Sequence, residues 1–378
     1  MRDATLVTTP EQLEAAVFRM QGARRLAIDT EFMRERTYYA QLCLVQVATD
    51  ADCFLVDPLA GLDLAPLHAL LADRTRVKIL HAARQDLEVL SIAGGRVPAP
   101  VFDTQVAAAL LGFPPQAGYA ELVARQLGHS IDKGQTRTDW SRRPLTPEQL
   151  AYAADDVHHL LQLHTELSAA LEARARDAWL WEESTALEDP ALYRTDPAAA
   201  WRRLKGLARL QPQEQATACA LAEWREQRAI TSDKPRGWIL SDETLYALAT
   251  AAPHTMEELE QVRALPPAVA RKRGDELLAL IAAARASAAG TPAEPATGRP
   301  TPGETALVAK LQRHVRDAAA ELGLAPEVLA TRREVEALVF SDRGESALLR
   351  GWRRAVIGEQ LAAMAAAAQP PAARTKSA

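Results

Sequence analysis

Four carboxylates and one tyrosine sit in three short segments: Asp29-Thr30-Glu31, Asp86 within HAARQDLEVL, and Tyr152 with Asp156 within YAADD. In a strand, residues i and i+2 project to one side, so Asp29 and Glu31 face the same way. In a helix, i and i+4 share a face, which pairs Tyr152 with Asp156 and turns Asp155 away. Asp86 falls about one turn into a helix that follows a buried strand. Ile28 and Phe32 flank the first pair and imply a partly buried setting, where an uncompensated charge is costly. Taken singly, each segment has a plainer reading: a solvated strand end, a first-turn acid favouring the helix dipole, a surface Tyr–Asp pair. Gathered together, the acids would repel by about 4 kcal/mol per unit-charge pair at ~4 Å and an effective dielectric of roughly 20. Divalent cations between them remove that cost, and hard oxygen donors suit Mg²⁺ or Mn²⁺ without selecting zinc.

The elements that must position these acids can be read from periodicity. RRLAIDTEF, QLCLVQVAT and CFLVD predict three strands within 24–56, joined by short connections that favour an antiparallel meander. A helical stretch over 62–72, a strand VKILH (77–81), a helix from about Ala83 and a short strand Val101-Phe102 follow. Asp103 is the expected N-cap of a helix over 104–112. A further helix is expected over 119–127. Thr146-Pro147-Glu148-Gln149 is a capping signature that starts a long helix carrying Tyr152 and Asp156.

Beyond about residue 170 the strand signal ends. Amphipathic helices fill 210–286, interrupted at Lys234-Pro235-Arg236-Gly237, at Pro253 and at Pro266-Pro267. A Pro, Gly, Thr and Ala-rich linker occupies 289–304, helices resume over 305–365, and 366–378 reads as a disordered tail.

The chain has 378 residues, 48% hydrophobic and 25% charged, enough for two or three ordinary soluble domains. No run of 18 apolar residues is present, which argues against a membrane span. The first residues lack a secretory layout, and three scattered cysteines (Cys43, Cys53, Cys219) fit a reducing cytoplasm rather than a zinc module. The formal charge of −5 is a weak objection to nucleic-acid binding, because local clusters outweigh the sum. Residues 201–240 hold eight Lys or Arg against four acids. No Gly-x-Gly-x-x-Gly follows a strand, which disfavours a dinucleotide fold.

The series IDTEF, HAARQDLE, FDTQ, GQTRTDWSRRPL and YAADD resembles ribonuclease D, of the DEDD superfamily of 3′→5′ exonucleases, over residues 24–165. The Tyr152-x-x-x-Asp156 form resembles the tyrosine subclass. Residues 210–285 resemble the all-α HRDC domain, and 305–365 resemble a second, diverged copy. The resemblance implies an α/β RNase H-like (DnaQ-like) core with a mixed sheet over 1–200, then HRDC domains at 208–288 and 305–365. It implies Asp29, Glu31, Asp86 and Asp156 as ligands of two divalent cations. Asp29 would bridge both, Asp86 would act through water, and Tyr152 would orient the attacking water. It also implies release of 5′-nucleoside monophosphates from RNA 3′ ends, such as tRNA precursors, by a cytoplasmic monomer with no obligate protein partner.

A basic loop with Lys133, Arg137, Trp140, Arg142 and Arg143 is expected to meet phosphates and a base, with a structured loop around a core Trp140 as the plainer reading. Arg225, Arg228, Lys234, Arg236 and Trp238 could grip RNA in the helical part, against a solvated face with Trp238 in the core. Asp233 stands where many family members show Asn, a departure that adds negative charge at that turn. His81 reads as a core residue, and His158 and His159 as a solvated pair. The rival readings are a DNA exonuclease of the same superfamily and a non-catalytic nucleic-acid-binding protein with relic acids.

Overall fold

Six strands form one mixed sheet in the order β1-β4-β3-β2-β5-β6. They are β1 (Thr5–Val7), β2 (Arg25–Met33), β3 (Gln41–Ala48), β4 (Cys53–Val56), β5 (Val77–Leu80) and β6 (Val101–Asp103). β3 pairs antiparallel with β4, while β1·β4, β2·β5 and β5·β6 are parallel. The expected meander is therefore confined to the middle of the sheet. This computed structural model describes residues 4–131, 134, 138–287, 301–340 and 346–368.

Two compact units share the chain. The first takes Met1–Met33, Leu42–Tyr193 and Arg299–Ala378; the second takes Arg34–Gln41 and Arg194–Gly298. In the first unit, α1 (Pro10–Met20), α2 (Ala65–Leu71), α3 (Arg84–Gly94), α4 (Thr104–Leu110), α5 (Tyr119–Leu127), α6 (Pro147–His158), α7 (Leu160–Glu172) and α8 (Asp177–Leu187) accompany the sheet. Its core is apolar, built on Ile79, Phe102, Val157, Leu163 and Leu167, each at most 1% exposed. Thr146 caps α6 as expected, its hydroxyl accepting from the Gln149 N–H while Gln149 returns the bond. β1 and α1 are additions to the expected elements.

In the second unit, α9 (Pro212–Ser232), α10 (Arg236–Ile239), α11 (Asp242–Ala251), α12 (Met256–Glu260) and α13 (Pro267–Ala286) enclose Leu221, Leu245, Leu248, Leu277 and Ile281. Breaks fall at the expected prolines, and a further one, between α10 and α11, falls at Leu240-Ser241. Segment 34–41 packs on α9. Tyr38 donates its hydroxyl to Glu226 Oε1 at 2.5 Å, and the Tyr38 and Tyr39 N–H groups donate to Asp233 Oδ1 at 3.0 and 3.1 Å.

The remaining helices are α14 (Pro302–Leu322), α15 (Pro326–Leu329), α16 (Arg332–Phe340), α17 (Gly351–Arg353) and α18 (Glu359–Ala368). The sequence sets this stretch apart as its own domain, but in the structure it belongs to the first unit. Leu311, Val315, Leu338 and Leu361 join the same apolar cluster as Leu163 and Leu167. Trp352 stacks on Trp179 with centroids 4.3 Å apart and planes at 10°. The Trp352 backbone N–H donates to Glu182 and its indole N–H to Glu183, both at 2.7 Å. Arg176 donates to the carbonyls of Leu110 and Leu322, tying α4 to α14. The expected linker lies outside the described residues as far as 300. A Thr301–Glu304 capping box then starts α14 at Pro302. Of the expected tail, 366–368 are helical and the rest lies outside the described residues.

Candidate active site

Strand geometry puts Asp29 and Glu31 on one side of β2, and α6 brings Asp156 to them. One carboxylate oxygen from each of Asp29, Glu31 and Asp156 lies within 4.8 Å of the other two. Asp86 stands outside this trio. It is buried in the first turn of α3 and accepts a 2.5 Å hydrogen bond from Thr30 Oγ1. Thr30 alternates with Asp29 and Glu31 along β2, so its hydroxyl ties Asp86 to the same strand that carries those two acids. Its charge still acts on both Asp29 and Glu31.

The corner that presents Asp86 is held by another acid. Ala82, between β5 and α3, has a left-handed φ of 55°. For a residue with a Cβ that conformation costs about 1–2 kcal/mol. Asp103 holds it in place: its carboxylate accepts from the Ala82 and Ala83 N–H groups at 3.1 and 2.9 Å. The same carboxylate accepts from the Gln105 N–H at 2.8 Å and caps α4, the role expected from the sequence.

The electrostatics are those of a site built for added positive charge. Burial, then repulsion from Asp156, pushes Asp29 up to about 8. Burial, then repulsion from Asp29, Asp156 and Asp86, pushes Glu31 up to about 9. Asp156 rises to about 7 through burial, although a hydrogen bond from Tyr152 pulls it back. Asp86 is raised mainly by burial, then by Asp29. Among the described residues no Lys or Arg forms an ion pair with any of the four. An all-oxygen donor set, crowded and without an ion-paired counter-charge among the described residues, fits hard divalent cations.

The Tyr152 hydroxyl thus points at Asp156, as the i, i+4 spacing requires. Its ring lies 6.1 Å from that of Trp140. Tyr119 is a neighbour of the acids that no sequence motif picks out. It opens α5, donates its hydroxyl to the Asp155 carbonyl at 3.2 Å and feels the charges of Asp156 and Asp29.

Comparison with known proteins identifies the family. A 3′-5′ exonuclease family model matches residues 4–172, and an HRDC domain model matches residues 214–281. Ribonuclease D of Gluconacetobacter diazotrophicus is 40% identical over 377 residues, covering 96% of this chain and 93% of the relative. Ribonuclease D of Pseudomonas paraeruginosa is 41% identical over 343 residues, covering 89% of this chain and 90% of the relative. The chain belongs to the ribonuclease D family. The crystal structure of Escherichia coli RNase D, described as an exoribonuclease involved in structured RNA processing, superposes with a TM-score of 0.84. It shares 31% identity and covers 96% of this chain and 98% of that one. The chain is a 3′→5′ exoribonuclease, with an RNase H-like exonuclease core and an all-α HRDC region.

Against this ribonuclease D frame the basic residues divide. Trp140 is 2% exposed, so its ring is a core anchor beneath Tyr152 and is removed from the set expected to stack on a base. Arg143 is also removed: its guanidinium grips Asp57 at 2.6 and 2.7 Å and donates to the carbonyls of Trp140, Arg142 and Cys43. Every donor of the fork points into protein. Arg142 is exposed, 3.2 Å from Asp139. Arg137 and Lys133 lie outside the described residues.

In the HRDC unit, Arg225 is buried against Asp242 and the Leu240 carbonyl. Arg228 pairs with Glu276, and Arg236 with the buried Glu226 at 3.3 Å. Lys234 is exposed, and so is Trp238, at 63%. Asp233, whose charge clouds the reading of this turn in the sequence, spends an oxygen on the Tyr38 and Tyr39 N–H groups. An Asn carbonyl accepts such bonds equally well. His81 is the core residue expected, its ring nitrogens 2.9 Å from Thr104 Oγ1 and 3.0 Å from the Ala117 carbonyl.

Proposed function

We propose that this exoribonuclease is of the tyrosine subclass and hydrolyses RNA at a two-cation centre of Mg²⁺ or Mn²⁺. Asp29, Glu31 and Asp156 would hold the cations, with Asp86 acting through water. When bound, the cations supply water activation and stabilisation of charge on the leaving oxygen. The chain's own part is positional. Asp29 and Glu31 are fixed by the strand, Asp156 by α6, and Tyr152 offers a hydroxyl beside Asp156 that can orient a water molecule. The observation that carries this reading is the trio of mutually close carboxylates with Tyr152 bonded to one of them.

The products would be 5′-nucleoside monophosphates, released singly from structured RNA such as tRNA precursors. The E. coli relative's role in structured RNA processing supports that substrate class. Lys234, Trp238 and Arg142 are the exposed residues suited to RNA, the tryptophan by stacking and the cations at phosphates. Residues 305–365 would be the diverged second HRDC copy.

The deciding experiment is product analysis on RNA with a defined 3′ extension in Mg²⁺ or Mn²⁺. Stepwise mononucleotide release, abolished by Asp29→Ala and by chelation, is expected. Endonucleolytic fragments, or activity that survives Asp29→Ala, would refute it.

A further inference from the structure

The junction between α6 and α7 contains a break whose repair comes from elsewhere in the chain. In a continuous helix the His159 N–H would donate to the Asp155 carbonyl. Here α6 ends at His158, α7 begins at Leu160, and the His159 N–H turns to the Val157 carbonyl. The ladder resumes one turn later, with the Leu163 N–H donating to the His159 carbonyl at 2.9 Å. The Tyr119 hydroxyl stands in the gap. It donates to the Asp155 carbonyl at 3.2 Å. One phenol thus serves the acceptor that a regular helix would pair with the His159 N–H. Insertion of a side chain into the i→i−4 ladder is an established cause of helix kinks.

The bridged turn is the one that presents Asp156. Tyr119 is itself anchored at its other side. Its ring lies 5.6 Å from that of His81. The Ala117 carbonyl, just ahead of α5, receives Gln105 Nε2 at 3.0 Å and lies 3.0 Å from His81 Nε2. His81 directly follows β5, and the chain runs from it through Ala82 to α3 and Asp86. The corner bearing Asp86 and the turn bearing Asp156 are therefore joined through His81, the Ala117 carbonyl and Tyr119.

We propose that Tyr119 is a positioning residue for cation binding: by bonding the Asp155 carbonyl where the helical ladder breaks it fixes the direction in which α6 delivers the Asp156 carboxylate. This builds on the assignment of Asp156 as a cation ligand. Without the hydroxyl, the Asp155 carbonyl either takes the His159 N–H in an ordinary helical bond, which straightens the junction and swings Asp156, or loses its partner from α5.

The test compares the full chain with Tyr119→Phe, which keeps the ring. Loss of a group that orients a metal ligand typically weakens metal binding about 10–100-fold. The Mn²⁺ concentration at half-saturation, followed by titration without RNA, should rise by about that factor. kcat on RNA should fall while KM for RNA stays within about twofold, since only uniform substrate binding would move KM alone. Unchanged Mn²⁺ half-saturation, or an effect confined to KM, overturns the proposal. A parent that binds no Mn²⁺ sinks the cation-site reading itself. A parent and a Phe variant that bind Mn²⁺ equally sink only the positioning role of Tyr119.

Discussion

Cation uptake by the apo chain should expel protons, in a number set by the acid cluster. With Asp29 near 8, Glu31 near 9 and Asp156 near 7, the trio carries about two protons at pH 7. Carboxylates must ionise to ligate a hard cation, so binding at pH 7 should release about two protons, and above pH 9 fewer than about one. Apparent affinity should then climb about 100-fold per pH unit near neutrality and flatten in the alkaline range, each proton contributing a factor of ten. The assay is calorimetric titration of Mn²⁺ in two buffers of different ionisation enthalpy, repeated from pH 6 to 9. Asp29→Asn should lower the count at pH 7 by about one. Release below half a proton at pH 7, or an affinity independent of pH between 6 and 8, would refute the claim that crowding and burial keep these acids protonated.

The same shifts govern stability. The folded apo chain holds protons that the unfolded chain has lost between about pH 4 and 9, so its melting temperature should fall as pH rises through that window, and Mn²⁺ should restore it. A melting temperature that rises from pH 5 to 9 would contradict this. Arg143→Met leaves the buried Asp57 carboxylate unpaired and should cost about 3–5 kcal/mol in denaturant unfolding. An unchanged stability with weakened RNA binding would return Arg143 to the substrate face. Trp238→Ala should barely alter stability yet weaken RNA binding by about 1–3 kcal/mol, measured by fluorescence anisotropy; equal affinities would remove it from the interface. Trp352→Ala should destabilise the exonuclease unit by about 3–5 kcal/mol, followed by Trp179 fluorescence, because the two indoles share one core; an unaltered transition would mean that the C-terminal helices stand alone.

Short-range periodicity accounts for what is legible in this sequence. Asp29 and Glu31 fall out of strand alternation, and Tyr152 and Asp156 out of the helical turn, because both relations are fixed within five residues. The bond between Asp86 and Thr30 joins residues 56 positions apart, and no local pattern records it. Arg143 and Asp57 are 86 positions apart, and Tyr119 and Asp155 are 36 apart. Contacts of that separation turn a basic loop residue into a clamp and an ordinary tyrosine into a neighbour of the acids. The first helix is legible as well: Thr9-Pro10-Glu11-Gln12 repeats the Thr146-Pro147-Glu148-Gln149 signature and forms the same capping box. Weighing that stretch only for a targeting signal hides the cap. The C-terminal helices read as a free domain because linker composition marks a boundary in sequence. The burial of Trp352 shows that the chain returns to the core it left.

That return has a consequence for synthesis. The apolar cluster around Ile79 and Leu163 is completed by Leu361 and Ala365, far downstream in the chain. A ribosome makes the catalytic strand well before those residues, adding about 5–20 residues per second. Until they have been made, the nascent nuclease therefore carries an unsealed apolar face. Any fragment that stops before α14, however well it spans the catalytic acids, keeps that face open to water and to other nascent chains.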